Sequence, residues 1–108
     1  MDMVKRYEVW LVNLDPTIGS EVKKTRPCLV VSPDVTNKYL KTVTIVPLTS
    51  TIRDYPTRVP CTFQGKKGQL VIDQIRSIDK RRLVKNLGNM DEITCKKTSS
   101  VIVEMFKF

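Results

Sequence analysis

At 108 residues the chain has room for one domain, 1–108, and no second one. Its 41% hydrophobic and 28% charged residues exclude wholesale disorder. Nineteen Lys and Arg against eleven Asp and Glu give +8, a field that draws polyanions, nucleic acid above all, or simply a generally basic surface. Nowhere is there the run of ~18 apolar residues that a membrane helix needs. The first residues, Met1 to Arg6, are charged and lack an apolar stretch behind them, so no secretory signal is expected. Cys28, Cys61 and Cys95 are an odd number without paired spacing, which fits a reducing cytoplasm better than a disulfide framework.

In chain order, Tyr7 to Leu14 (YEVWLVNL) is rich in β-formers and runs into an Asp15-Pro16 turn, which predicts a strand. Asp15 to Pro27 mixes Gly, Pro, small polar residues and charge with no apolar period and predicts a long loop. Cys28 to Ser32 (CLVVS) is a continuous apolar run, hence a buried strand, and Ser32-Pro33-Asp34 opens a helical turn. Thr42 to Leu48 returns to β character and Thr57 to Phe63 alternates imperfectly. Gly65 to Gly68 (GKKG) reads as a turn and Gln69 to Ile75 as a strand. Ile78 to Leu83 suggests one helical turn and Val84 to Leu87 a short strand.

Asp91 to Phe106 is the best helix candidate, with Asp91 as N-cap. Ile93, Val101, Ile102, Met105 and Phe106 supply its apolar face, interrupted by Lys97 and Thr98. The Val101–Val103 trio keeps a strand in competition there. The expected fold is mainly β (α+β), with about five or six short strands closing a small barrel or curved sheet and a C-terminal helix.

The missing residues narrow the chemistry. With no histidine, the commonest general acid–base is absent, as are Ser-His-Asp, Cys-His and histidine-containing zinc sites. No phosphate-binding loop, dinucleotide fingerprint or calcium loop appears, and the scattered carboxylates suggest no metal site. What remains is charge and hydrogen bonding. Lys23, Lys24 and Arg26 lie beside Gly19-Ser20 in the long loop. Arg76, Lys80, Arg81, Arg82 and Lys85 surround the single acid Asp79 and read as a solvated basic face. An Arg in a loop presents a rigid fork of donors that matches phosphate oxygens. Trp10 reads as core.

Three segments resemble the MazF/PemK toxins, the endoribonucleases called mRNA interferases. They are Asp15 to Pro33 (DPTIGSEVKKTRPCLVVSP), Val46 to Ser50 (VPLTS) and Asp73 to Leu83 (DQIRSIDKRRL), in the family's order and spacing. The resemblance covers about the whole chain. It implies an SH3-like barrel with a C-terminal helix, acting as a homodimer in the cytoplasm. It also implies cleavage of single-stranded RNA, mRNA included, without metal or cofactor. In that chemistry the ribose 2′-hydroxyl attacks the adjacent phosphate, leaving a 2′,3′-cyclic phosphate and a 5′-hydroxyl.

By the same resemblance Arg26 matches the catalytic Arg of Thr-Arg-Pro, and Thr49 the catalytic Thr. Ser20 and Glu21 match loop residues bordering the site, and Gln74 a polar residue near it. Lys24 joins these substrate-binding candidates through the loop's charge. The general base is unassigned, with Glu21 a candidate. The implied partner is a cognate antitoxin carrying an acidic, partly disordered segment. Two departures stand out: Pro60 to Gln69 is shorter than in many relatives, and Lys96 to Ser100 is an unusual run within the helix. The rival readings are a non-catalytic toxin of the same fold acting on a protein such as gyrase, and an RNA-binding module without cleavage.

Overall fold

Seven antiparallel strands and two helices follow one another in the computed structural model, which describes residues 3–16, 18–21 and 24–108. They are β1 (Glu8–Asn13), β2 (Thr25–Val30), α1 (Asp34–Tyr39), β3 (Thr42–Thr49), β4 (Arg58–Phe63), β5 (Lys66–Val71), β6 (Arg76–Asp79), β7 (Leu83–Asn89) and α2 (Glu92–Phe106). The hydrogen-bonded path runs β4-β5-β3-β2-β1-β7, and β6 also pairs with β3. Of the residues discussed above, Met1, Asp2, Thr17, Val22 and Lys23 lie outside the described residues.

Strand β3 organises the fold. One edge pairs with β2, while the other pairs with β6 along Thr42–Ile45 and with β5 at Leu48 and Thr49. A strand shared between two partners on one edge must bend, and the sheet curls around it. The curl does not close into a barrel: no ladder joins β4 to β7, which meet through the Gln64 Nε2 bond to the Leu87 carbonyl at 2.8 Å.

Curling buries both faces of the sheet. Cys28 and Val30 of β2 join one apolar cluster with Trp10, Val12, Val43 and Ile45, while Leu29 joins a second with Val9, Val46, Leu70 and Cys95. The continuous run CLVV is therefore a two-sided strand, as expected of such a run. Trp10 is buried, its Nε1 donating to Glu8 Oε1 at 3.2 Å.

The mainly β class and the terminal helix agree with expectation, but several boundaries move. The long loop ends sooner. Lys24, in the left-handed region at φ 69, closes it by accepting the Leu14 N–H at 3.0 Å. Thr25–Pro27 then belong to β2, paired with β1. The GKKG stretch is not a turn. Gln64 and Gly65 both have positive φ, 51° and 78°, and make the two-residue hairpin turn themselves, so that Lys66 and Lys67 are already strand residues opposite Phe63 and Thr62. The segment read as Gln69–Ile75 stops at Val71, where a 3₁₀ turn (Ile72–Gln74) begins. Ile78 and Asp79 belong to β6, and the helical turn there covers only Lys80–Arg82.

Helix α2 has the expected cap: Asp91 accepts the Thr94 N–H and hydroxyl, each at 2.9 Å, and these bonds hold its carboxyl below the ordinary value. Its inward face differs from expectation. Thr94, Cys95 and Thr98 are buried and Val101, Ile102 and Met105 pack below them, a clean i, i+3, i+4 series, while Ile93 and Phe106 face solvent at 70% and 67% exposure. Thr98 is admitted to the core because its hydroxyl donates back to the Thr94 carbonyl at 2.8 Å.

Three cations of the second basic cluster have partners within the chain, although the Arg81 side chain stays 89% exposed, as a solvated face requires. Lys80 donates to the Asn37 carbonyl, Arg81 pairs with Asp79, and Arg82 donates to the carbonyls of Asn13 and Asp15, bracing the base of the β1–β2 loop.

Candidate active site

Arg26 comes from the start of β2, and Thr49 from the end of β3. The β2–β3 ladder ends where Cys28 stands opposite Pro47, and Arg26 and Thr49 each lie two residues beyond that pair on their strands. Both side chains are half-buried, and both line one cavity of about 410 Å³. The β4–β5 hairpin forms the opposite wall with Phe63, Gln64, Lys66 and Lys67, and Pro27, Leu48 and Leu87 complete an apolar floor. Among the described residues no Asp or Glu lines it. Three cations around an acid-free cavity attract a phosphodiester and disfavour a substrate cation.

Lys66 and Lys67 were missed from the sequence, where GKKG looked like a turn. The legible signal was that a two-residue hairpin turn at Gln64-Gly65 sends them up the next strand. Cys61 also borders the cavity, but burial and, secondarily, the Asp91 carboxylate push its thiol up to about 11. Burial likewise pushes Cys28 to about 12 and Cys95 to about 11. All three thiols are therefore protonated near neutral pH and poor nucleophiles.

Ser20, Glu21 and Gln74 occupy a neighbouring cavity of about 650 Å³ with Pro47, Asp73 and Arg76. Pro47 precedes Thr49 on β3, so one strand borders both cavities. Glu21 Oε1 accepts the Ile18 N–H at 2.5 Å, which commits one carboxylate oxygen to the loop's own turn. Lys24 lines neither cavity, and its N–H donates to Asp15 Oδ1 at 2.9 Å. The structure thus unites Arg26 with Thr49, gathers Ser20, Glu21 and Gln74 next door, and gives Lys24 a loop-closing backbone. Among the described residues no group of three His, Cys, Asp or Glu is placed to hold a metal ion, and no helix is long and apolar enough to cross a membrane.

Gly68 links fold and site. A Cβ there would lie 2.5 Å from the Thr49 carbonyl oxygen, so β5 can approach β3 this closely only without a side chain. Gly68→Ala is expected to lower stability by ~1–3 kcal/mol, the usual cost of overpacking. The urea midpoint measures this, and an unmoved midpoint would mean that β5 shifts off Thr49 freely.

The fold is thus a small curved antiparallel sheet with a C-terminal helix, and its basic cavity holds both Arg26 and Thr49. The family model for the PemK-like, MazF-like toxins of type II toxin–antitoxin systems matches residues 5–106, and the chain belongs to that family. Endoribonuclease EndoA of Bacillus subtilis (strain 168) is 31% identical over 96 residues, 83% of each protein. Among solved structures, MazF from Deinococcus radiodurans superposes with a TM-score of 0.88 over 100% of both chains at 24% identity. An endoribonuclease in complex with its cognate antitoxin, from a mycobacterial species, gives 0.79 at 25% identity over 94% of this chain and 92% of its own.

Proposed function

We propose that this toxin is an endoribonuclease that cuts single-stranded RNA, mRNA included, in the cytoplasm and without a metal or other cofactor. The observation that carries the reading is the shared, acid-free cavity of Arg26, Thr49, Lys66 and Lys67. The naming of the Bacillus relative as an endoribonuclease supports it.

The substrate supplies the nucleophile. Its 2′-oxygen attacks the adjacent phosphorus, the P–O5′ bond breaks, the 2′-hydroxyl proton is lost to a base and the departing O5′ gains one. The products are a 2′,3′-cyclic phosphate and a 5′-hydroxyl. Arg26 spans two non-bridging oxygens and stabilises the charge that builds on them, and Thr49 donates its hydroxyl to one of them. Ser20, Glu21, Gln74 and Lys24 hold the flanking nucleotides. A carboxylate-rich, partly disordered segment of a cognate antitoxin occupies the same basic surface of a homodimer, a reading supported by the antitoxin complex of the mycobacterial relative.

The test is incubation with mixed single-stranded RNA in excess EDTA, followed by mapping of the ends. Cleavage is expected to persist and to leave 5′ ends that a polynucleotide kinase labels directly. Activity lost in EDTA and restored by magnesium, or 5′-phosphate ends, would overturn the mechanism. RNA bound but intact would overturn the enzymatic reading.

A further inference from the structure

The hydroxyl of Thr49 is held from behind. Its Oγ1 accepts the Thr51 N–H at 3.2 Å, which occupies one lone pair and leaves the O–H to donate elsewhere. Thr51 lies in the exposed irregular segment between β3 and β4. That segment is tied to the sheet by Gln69 of β5. Its Oε1 accepts the Arg53 N–H and its Nε2 donates to the Arg53 carbonyl, both at 3.0 Å, the pair of bonds an adjacent strand would make. Gln69 is 6% exposed and stands opposite Thr49 in the β3–β5 ladder. A buried amide satisfied at both ends fixes its partner's backbone, because losing either bond strands a polar group.

We infer that Gln69 is a positioning residue for Thr49. By clamping both backbone groups of Arg53 it sets the turn that aims Thr51 N–H at Thr49 Oγ1, and so directs the hydroxyl proton into the cavity. This rests on the role of Thr49 in RNA cleavage given above.

The test compares variants on a single-stranded RNA that the wild-type protein cleaves. Gln69→Leu, of similar volume, is expected to lower kcat about tenfold or more with KM within about twofold. Gln69→Glu keeps the acceptor for the Arg53 N–H but faces a carbonyl with a carboxylate, and falls between. Arg53→Ala keeps the backbone partners and the wild-type kcat. In a Thr49→Val background, Gln69→Leu is expected to add no further loss, since the coupling runs through one hydroxyl. Amide exchange at Thr51, measured without RNA, is expected to quicken in Gln69→Leu. A wild-type kcat in Gln69→Leu beside a slow Thr49→Val would overturn the inference, as would losses that add in the double variant. An inactive wild-type protein, or an unaffected Thr49→Val, counts instead against the proposed function. Thr51 exchange then decides the clamp, and an unchanged rate in Gln69→Leu overturns it.

Discussion

Arg26→Ala is expected to lower kcat for RNA cleavage by about 100-fold or more while leaving the protein folded. Removing a single preorganised donor from the place where charge develops costs 10²-fold to 10³-fold in well-studied enzymes, roughly 3–4 kcal/mol of barrier. Arg26 is half-buried and lines the same cavity as Thr49, and the other cations there, Lys66 and Lys67, carry ammonium point charges that do not span two oxygens of one phosphate as a guanidinium does. Arg26→Lys is expected not to restore the rate: an ammonium is a point charge and cannot span two oxygens as a planar guanidinium does. Thr49→Val is expected to cost less, because the hydroxyl makes a single hydrogen bond to one phosphate oxygen and brings no positive charge, whereas the guanidinium brings a full charge and two bonds. Single-turnover cleavage of one RNA, with circular dichroism to verify folding, makes the comparison. A folded Arg26→Ala protein cutting at the wild-type rate would remove Arg26 from the chemistry. Lys66 and Lys67 provide an internal contrast, since they border the same cavity from the hairpin wall.

What the chain discloses before folding depends on whether a residue's neighbours are local. The cap of α2 was legible because Asp91 and Thr94 belong to one turn, and β1 and the CLVV strand were legible from composition alone. Strand β6 was not: of its four residues only Ile78 is buried, and one apolar position shows no period. The inward face of α2 was misjudged because Thr98, polar by name, satisfies its own hydroxyl against Thr94, whereas Ile93 points to solvent despite its side chain. Gly68 is the clearest ambiguity. A glycine near Gly65 looks like part of a turn, yet what it serves is the approach of β5 to the carbonyl of Thr49, a contact between strands that lie far apart in the chain. The same long-range pairing separates Ser20, Glu21 and Gln74 from the Arg26–Thr49 cavity, a partition that motif spacing does not encode.

An RNA carrying a single 2′-deoxynucleotide at the cleavage position is expected to bind with nearly unchanged affinity and to resist cutting entirely. The prediction follows from what the cavity lacks. The chain has no histidine, and the thiol that borders the cavity, Cys61, is pushed up to about 11 and stays protonated near neutral pH. Neither imidazole nor thiolate is therefore there to attack phosphorus, in keeping with the proposed mechanism, in which the substrate's own ribose is the nucleophile. In the proposed mechanism binding depends on phosphate neutralisation by the cavity cations Arg26, Lys66 and Lys67, to which a 2′-hydroxyl contributes little, so the deoxy substrate is expected to behave as a competitive inhibitor. Its inhibition constant should weaken with added salt, by about one power of salt concentration for each phosphate contact neutralised. The measurement is cleavage of a labelled all-ribose RNA against rising concentrations of the deoxy analogue at several ionic strengths. Cleavage at the deoxy position would require a water or protein nucleophile and would remove the 2′-hydroxyl from the mechanism. An analogue that neither binds nor inhibits would instead mean that the hydroxyl is needed for recognition, and would place a donor or acceptor for it among the residues around Thr49.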